Sequence, residues 1–257
     1  VTKHFTRTVR GTGPGLLLAH GGGGGVAANF GALIDDLAGT HTVVGVDYPG
    51  SGDTPRSATP LTLDRLADEL VAAADAAGLA RFAVLGYSLG TAVAVRTATR
   101  HPDRVTGLVL TAGFAHPNNR MRLAVDVWRA LLEADRTLLA RFLTLVATGE
   151  RHLEARTPDE LSDAVTALAE FIPAGSPEQV DLVDSVDTRA ELPGIRVPTQ
   201  VIAATLDLLA PPALSRELAG AIPGARLVEI DAGHLVGEEA PVEWLAAIRS
   251  FLPSVAA

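Results

Sequence analysis

Short apolar runs bounded by glycine and proline alternate along this chain with longer stretches whose apolar residues recur every three or four positions, the marks of buried strands and amphipathic helices. Period-two alternation over His4-Phe5-Thr6-Arg7-Thr8-Val9 reads as an edge strand, and the glycine-rich stretch 11–15 turns it into the buried run Leu16-Leu17-Leu18-Ala19. A glycine run, 21–25, follows. The pattern then predicts a helix near 29–38, a strand over 42–46, a loop to Leu61, and a helix over 63–77 that Thr62 can cap. Leu63, Leu66, Ala67, Leu70 and Ala74 fall on one face of that helix. Phe82-Ala83-Val84-Leu85 is the next buried run, a small-residue helix starts near Thr91, and 105–110 is a further strand. Such alternation predicts an α/β fold with a mostly parallel, doubly wound sheet and right-handed crossovers.

After Thr111 the rhythm breaks. Residues 116–196 hold helical patterns at 122–133, 136–148, 158–171 and 177–184 without a convincing strand, and Pro173-Ala174-Gly175-Ser176-Pro177 interrupts them. Strand patterns return at 199–203 and 226–230, with a helix over 211–220 between them and a closing helix over 241–252. The expected organisation is one α/β core made of 1–115 and 197–257, with a helical cap inserted at 116–196.

Composition narrows the classes. With 47% hydrophobic and 20% charged residues the chain has the balance of a soluble globular protein, and no apolar run approaches the length a membrane span needs. Val1 to Arg10 lacks the apolar centre of a signal peptide, so a cytoplasmic location is expected. A net charge of −9 without a basic cluster argues against a nucleic-acid partner. The absence of cysteine removes disulfides, thiolate zinc sites and cysteine nucleophiles, and the seven histidines show no metal-ligand spacing, so no metal is implied. The expected partner is a small-molecule substrate, and the expected state a monomer or homodimer.

Gly86-Tyr87-Ser88-Leu89-Gly90 spells G-x-S-x-G between a strand and a helix, a context that raises a serine hydroxyl on a sharp turn at the top of a sheet. The bland alternative is a serine that caps the helix after it. A serine hydroxyl becomes a useful nucleophile only beside a base, and the base works best when a carboxylate orients it and balances its charge. Of the histidines only His234, in Ile230-Asp231-Ala232-Gly233-His234-Leu235, follows a late strand in the chain order this elbow uses. Asp207 ends the preceding strand and is the candidate acid; Asp231, three residues before His234, is assigned to holding the loop. The strand over 105–110 ends in Thr111-Ala112-Gly113 and offers no carboxylate.

On these features the chain resembles the α/β-hydrolase fold superfamily, in the capped single-domain branch of esterases, lactonases and perhydrolases. The resemblance also rests on His20-Gly21, on Asp47-Tyr48-Pro49-Gly50-Ser51-Gly52, and on Gly233-His234 followed by Glu239-x-Pro241. It implies a Ser88, Asp207, His234 triad and an oxyanion hole made by the backbone N–H of Leu89 and one just after His20-Gly21. Gly22 is the first choice and Gly23 the alternative, because five consecutive glycines blur the register. The family more often carries a bulkier residue with a nearby proline there, and the departure implies an adaptable or roomy pocket. His20 and Asp47 are read as structural, and Ala204 stands where the family commonly has glycine.

The implied activity is hydrolysis of a small or medium-sized carboxylic ester, thioester or lactone through an acyl-enzyme, with no cofactor. Gly23, Phe114, Trp128 and Phe142 are candidate substrate contacts, with Leu131, Leu132 and Phe171 as further lining. Two alternatives keep the triad: a C–C bond hydrolase, and a non-hydrolytic cyclase, isomerase or lyase. A third, NAD(P) binding, rests on Gly22-x-Gly24-x-x-Ala27 between a strand and a helix with Asp47 downstream. It is weakened by His20 intruding before the glycines and by Lys3 being the only lysine.

Overall fold

In the computed structural model, which describes residues 5–255, seven strands form one sheet: β1 (Arg7–Arg10), β2 (Gly15–Ala19), β3 (Thr42–Val46), β4 (Phe82–Tyr87), β5 (Val105–Thr111), β6 (Thr199–Ala204) and β7 (Arg226–Ile230). Their order across the sheet is β1-β3-β2-β4-β5-β6-β7. β1 runs antiparallel to β3, and every other neighbouring pair is parallel. The edge strand read over 4–9 is shorter and shifted, because its ladder runs from Arg7 opposite Val46 to Arg10 opposite Val43; His4 lies outside the described residues.

Helices α1 (Val26–Ala38), α2 (Leu63–Ala76) and α3 (Leu89–Arg100) connect the first strands. Between β5 and β6 come α4 (Asn119–Ala134), α5 (Arg136–Ala147), α6 (Glu150–Glu154), α7 (Pro158–Phe171) and α8 (Ser176–Ser185). α9 (Pro212–Ala221), α10 (Val236–Glu239) and α11 (Pro241–Phe251) complete the chain.

β2 and β4 are buried along their whole length, as parallel strands covered on both faces must be. Side chains of successive strand residues point to opposite faces, so the apolar runs divide between two cores. Leu17, Val44, Val84, Leu108 and Leu110 pack with α2, α3 and α9; Leu16, Leu18, Val43, Leu85 and Val109 pack with Phe30, Leu33 and Leu37 of α1 and Trp244, Ile248 and Phe251 of α11. Residues Trp128, Leu139, Leu143, Val180 and Val183 of the inserted helices belong to the first of these cores. Arg129 of α4 pairs with Asp181 and Asp184 of α8 at 3.0 and 3.4 Å. These pairs are exposed and contribute little, so apolar burial carries the docking of the helical layer.

α1 begins three residues earlier than the apolar pattern predicts, since Asp47 at the end of β3 accepts the Val26 N–H at 2.8 Å and caps the helix from a distance. Thr62 caps α2 as its position implies, accepting the Arg65 N–H at 3.2 Å. Two short helices, α6 and α10, have too few turns to leave a periodic signal in the sequence.

Candidate active site

The turn between β4 and α3 holds Ser88 at φ 53° and ψ −121°, a conformation that residues with a Cβ rarely adopt. The Ser88 N–H donates to the Thr111 carbonyl at 2.9 Å, and the Ser88 carbonyl accepts from the Thr91 hydroxyl at 2.7 Å. Gly86 and Gly90 make the turn possible by close approach: a Cβ on Gly86 would sit 2.4 Å from the Gly90 carbonyl oxygen, and one on Gly90 1.8 Å from that of Ala19.

Ser88, His234 and Asp207 meet in one hydrogen-bonded row. Ser88 Oγ lies 3.0 Å from His234 Nε2, and His234 Nδ1 lies 2.6 Å from Asp207 Oδ2. With Asp207 ionised, Nδ1 carries the proton and Nε2 is free to accept from the serine hydroxyl. The other carboxylate oxygen, Oδ1, accepts from Leu209 N–H at 2.9 Å and Ala210 N–H at 2.8 Å, which fixes the carboxylate plane. All three side chains are buried, Ser88 being 8% exposed, Asp207 2% and His234 6%. The Tyr87 hydroxyl donates to the His234 carbonyl, while Glu239 accepts from the N–H groups of Gly233 at 2.9 Å and Gly149 at 3.1 Å. Glu239 thereby ties the histidine loop to the α5–α6 link. Asp231 faces elsewhere, toward Arg151 at 2.9 Å and the Thr205 hydroxyl at 3.2 Å.

The glycine run lies beside this row. A Cβ on Gly21 would be 3.1 Å from the Ser88 Cβ, and one on Gly22 3.6 Å from Leu89 Cδ2 and 3.1 Å from Val183 Cγ2. Asn29 Oδ1 accepts the Gly21 N–H at 2.7 Å, and Gln179 Oε1 accepts the Gly23 N–H at 2.8 Å. Trp128 lies on Gly23, where a Cβ would come within 2.5 Å of Cζ2. Asn29 also closes the space at Gly24. At Gly23 and Gly24 the segment that satisfies a dinucleotide fingerprint is therefore covered by protein side chains, where a pyrophosphate would need bare backbone.

His20 is fully buried and stacked on Tyr48 with ring centroids 3.7 Å apart. Its Nδ1 donates to the Gly21 carbonyl at 2.7 Å, and its Nε2 accepts the Tyr48 N–H at 2.9 Å. Burial draws its pKa down to about 4, so the ring is neutral and both hydrogen bonds are consistent with one tautomer. It joins the ends of β2 and β3 and makes no hydrogen bond to Ser88.

A profile of the alpha/beta hydrolase fold family matches residues 14–241. The chain belongs to that family. It is 34% identical over 248 residues to the pyrrolizixenacetamide deacetylase of Xenorhabdus hominickii, spanning 96% of this chain and 93% of that protein. Identity to the putative carbamate hydrolase RutD of Azorhizobium caulinodans is 30% over 229 residues, 88% and 85% of the two chains. The solved enol-lactonase from Burkholderia xenovorans LB400 superposes with a TM-score of 0.85 at 27% identity, covering 97% of this chain and 96% of that one. The protein is an enzyme of this hydrolase family, and among its described residues no helix is long and apolar enough to cross a membrane.

The other candidate contacts of the hydrolase are dispersed. Phe114 is wholly buried in the core beneath the helical layer, and Phe142, Leu131 and Leu132 are half-buried against the same core. Phe171 is 47% exposed, at the end of α7, which packs on α5 and buries only Val165. Trp128 Nε1 is buried and has no hydrogen-bond partner among the described residues. Gln179 and Asn29 escaped the sequence reading. Neither lies in a recognisable motif, and each is identified only by the glycine N–H that it holds.

Proposed function

We propose that this hydrolase cleaves a small or medium-sized carboxylic ester, thioester or lactone through an acyl-enzyme on Ser88. The observation that carries this reading is the buried row of Ser88, His234 and Asp207 at hydrogen-bond distances beside a glycine loop. Ser88 Oγ attacks the acyl carbon while His234 Nε2 takes its proton, and Asp207 stabilises the imidazolium that results. The carbonyl electrons move onto oxygen. That oxyanion is received by the N–H of Leu89, the first residue of α3 with its favourable helix dipole, and by the N–H of Gly22. Gly22 is favoured over Gly23 because the Gly23 N–H is already occupied by Gln179.

On collapse the bond to the leaving group breaks, and His234 donates its proton to the departing oxygen or sulfur. Water then attacks the acyl-enzyme with His234 again as base, releasing the carboxylic acid and restoring Ser88. Residues 116–196 form the proposed cap over the acyl group. Phe114 and Phe142 supply apolar surface, Trp128 meets the substrate beside Gly23, and its free Nε1–H offers one donor to an acceptor on the substrate.

A second reading, cleavage of an amide or carbamate, is supported by what the deacetylase and carbamate-hydrolase relatives are named for. The same steps apply, with His234 protonating a departing nitrogen. The test is a panel of p-nitrophenyl esters of graded chain length, lactones and p-nitroanilides, assayed with wild type and Ser88→Ala. The variant should lose several powers of ten in kcat and keep roughly 10³-fold catalysis over water. A p-nitrophenyl alkylphosphonate, which loses p-nitrophenoxide when Ser88 Oγ bonds to phosphorus, should label Ser88 alone. Wild-type turnover by Ser88→Ala, or labelling at another residue, would overturn the acyl-enzyme reading.

A further inference from the structure

Five consecutive glycines have no side chains with which to define their own conformation, and glycine loses more backbone freedom on ordering than any other residue. A loop asked to aim an N–H at a developing oxyanion must nevertheless be ordered before the reaction, since preorganisation is what gives such a donor its value. In this hydrolase the ordering groups come from outside the loop. Among the described residues Gln179 is the one that reaches it from the helical layer with a hydrogen bond, across 156 positions of sequence.

Gln179 is completely buried, and both ends of its amide are used. Oε1 accepts the Gly23 N–H at 2.8 Å, while Nε2 donates to Ser51 Oγ at 2.9 Å and to the Pro49 carbonyl at 3.2 Å. This pattern fixes which way the amide faces, because exchanging its oxygen and nitrogen would set a donor against the Gly23 N–H and an acceptor against the Pro49 carbonyl.

Its backbone is held equally firmly. Gly175, immediately before α8, donates to the Gly50 carbonyl at 3.1 Å. The approach is so close that a Cβ on Gly175 would lie 2.1 Å from the Pro49 carbonyl oxygen, and one on Gly50 2.3 Å from the Gly175 Cα. Gln179 follows one turn later, its N–H bonded to the Gly175 carbonyl at 3.1 Å. Val183, the next turn of the same face, covers Gly22.

We infer that Gln179 is a positioning residue of the oxyanion hole: it draws the Gly23 N–H away from the reacting centre and so sets the peptide register in which Gly22 presents its own. The inference rests on the function proposed above. It makes α8 part of the apparatus for transition-state stabilisation as well as a wall of the substrate site.

The test compares Gln179→Met, which keeps the length of the side chain but none of its hydrogen bonds, with Gln179→Ala and Ser51→Ala. Both Gln179 variants should lower kcat about 10- to 100-fold, short of the loss of a whole oxyanion donor, with KM within about 3-fold of wild type. Phosphonate labelling of Ser88 should slow in the same proportion, because the phosphoryl oxygen occupies the same site. Ser51→Ala removes an acceptor at the far end of the amide and leaves the bond to Gly23, so it should lower Tm while kcat stays within about 3-fold.

Should Gln179→Ala fail to fold, Gln179→Met carries the test. Wild-type kcat in a folded Gln179→Met variant, measured well below its Tm, overturns the inference; so does a fall in kcat that merely tracks Tm across all three variants. Either result leaves the acyl-enzyme reading standing if Ser88 is still labelled and Ser88→Ala has lost several powers of ten in kcat. Full turnover by Ser88→Ala removes both.

Discussion

The two glycine-bearing loops that meet at Ser88 are held in shape by opposite means. The turn at Gly86 to Gly90 is constrained by what cannot fit: backbone oxygens of Gly90 and Ala19 stand where side chains would be. The run at 21–25 is constrained by what reaches it, the amides of Asn29 and Gln179 and the indole of Trp128. Steric exclusion by neighbouring backbone is written into the residues of the turn and its adjoining strands. The hydrogen bond from Gln179 exists only after α8 has docked. In the proposed mechanism the turn carries the nucleophile and one oxyanion donor, the Leu89 N–H, and the run carries the other, so the charge is met jointly by a loop held by exclusion and a loop held by contact.

The largest effect that separates these roles is expected at the far end of the hydrogen-bonded row. Asp207→Asn keeps the shape of the side chain, removes the charge and favours the wrong histidine tautomer, so kcat should fall by about 10³ to 10⁴. Asp231→Asn, whose carboxylate faces Arg151 and Thr205, should stay within a few-fold of wild type in the same ester assay. A nearly active Asp207→Asn variant with an inactive Asp231→Asn variant would reverse the assignment of the acid.

Next comes the contrast between the loops themselves. Gly90→Ala would force a Cβ against the Ala19 carbonyl oxygen at 1.8 Å, where both sides are backbone, and should cost more than about 3 kcal/mol or prevent folding. Gly24→Ala would meet the side-chain oxygen of Asn29 at 2.8 Å, which can turn aside, and should cost only about 1 kcal/mol. Urea unfolding of the two variants measures the difference, and equal losses would abolish the distinction between an excluded and an adjustable loop.

The smallest effect at neutral pH lies beneath the glycine run. His20 has its folded pKa drawn from 6.5 to about 4 by burial, so folding favours the neutral ring. Its contribution is complete above pH 6.5 and is lost as the pH falls through about 4. That shift corresponds to about 3 kcal/mol at pH 4. The stability difference between wild type and His20→Gln should shrink by this order between pH 7 and pH 4. A constant difference would mean that the ring is not held neutral.

The same contrast explains how far the sequence could be read. The alternation of apolar runs with amphipathic stretches determined the α/β class, the parallel core strands and most of the helices, because period and polarity are local properties of the chain. Small residues two before and two after Ser88 marked the turn for the same reason, and the chain order of Asp207 and His234 after two late strand patterns made them candidates; in the structure they lie in the loops that follow β6 and β7. What only the tertiary structure decided was everything that depends on a partner distant in sequence. The start of α1 awaited Asp47, the exposure of Phe171 followed from how α7 lies on α5, and the role of Gln179 has no trace in spacing or composition. A five-glycine run is the extreme case: without side chains it offers many backbone arrangements of similar energy, and its register is chosen by whichever acceptors the folded helices bring to its N–H groups.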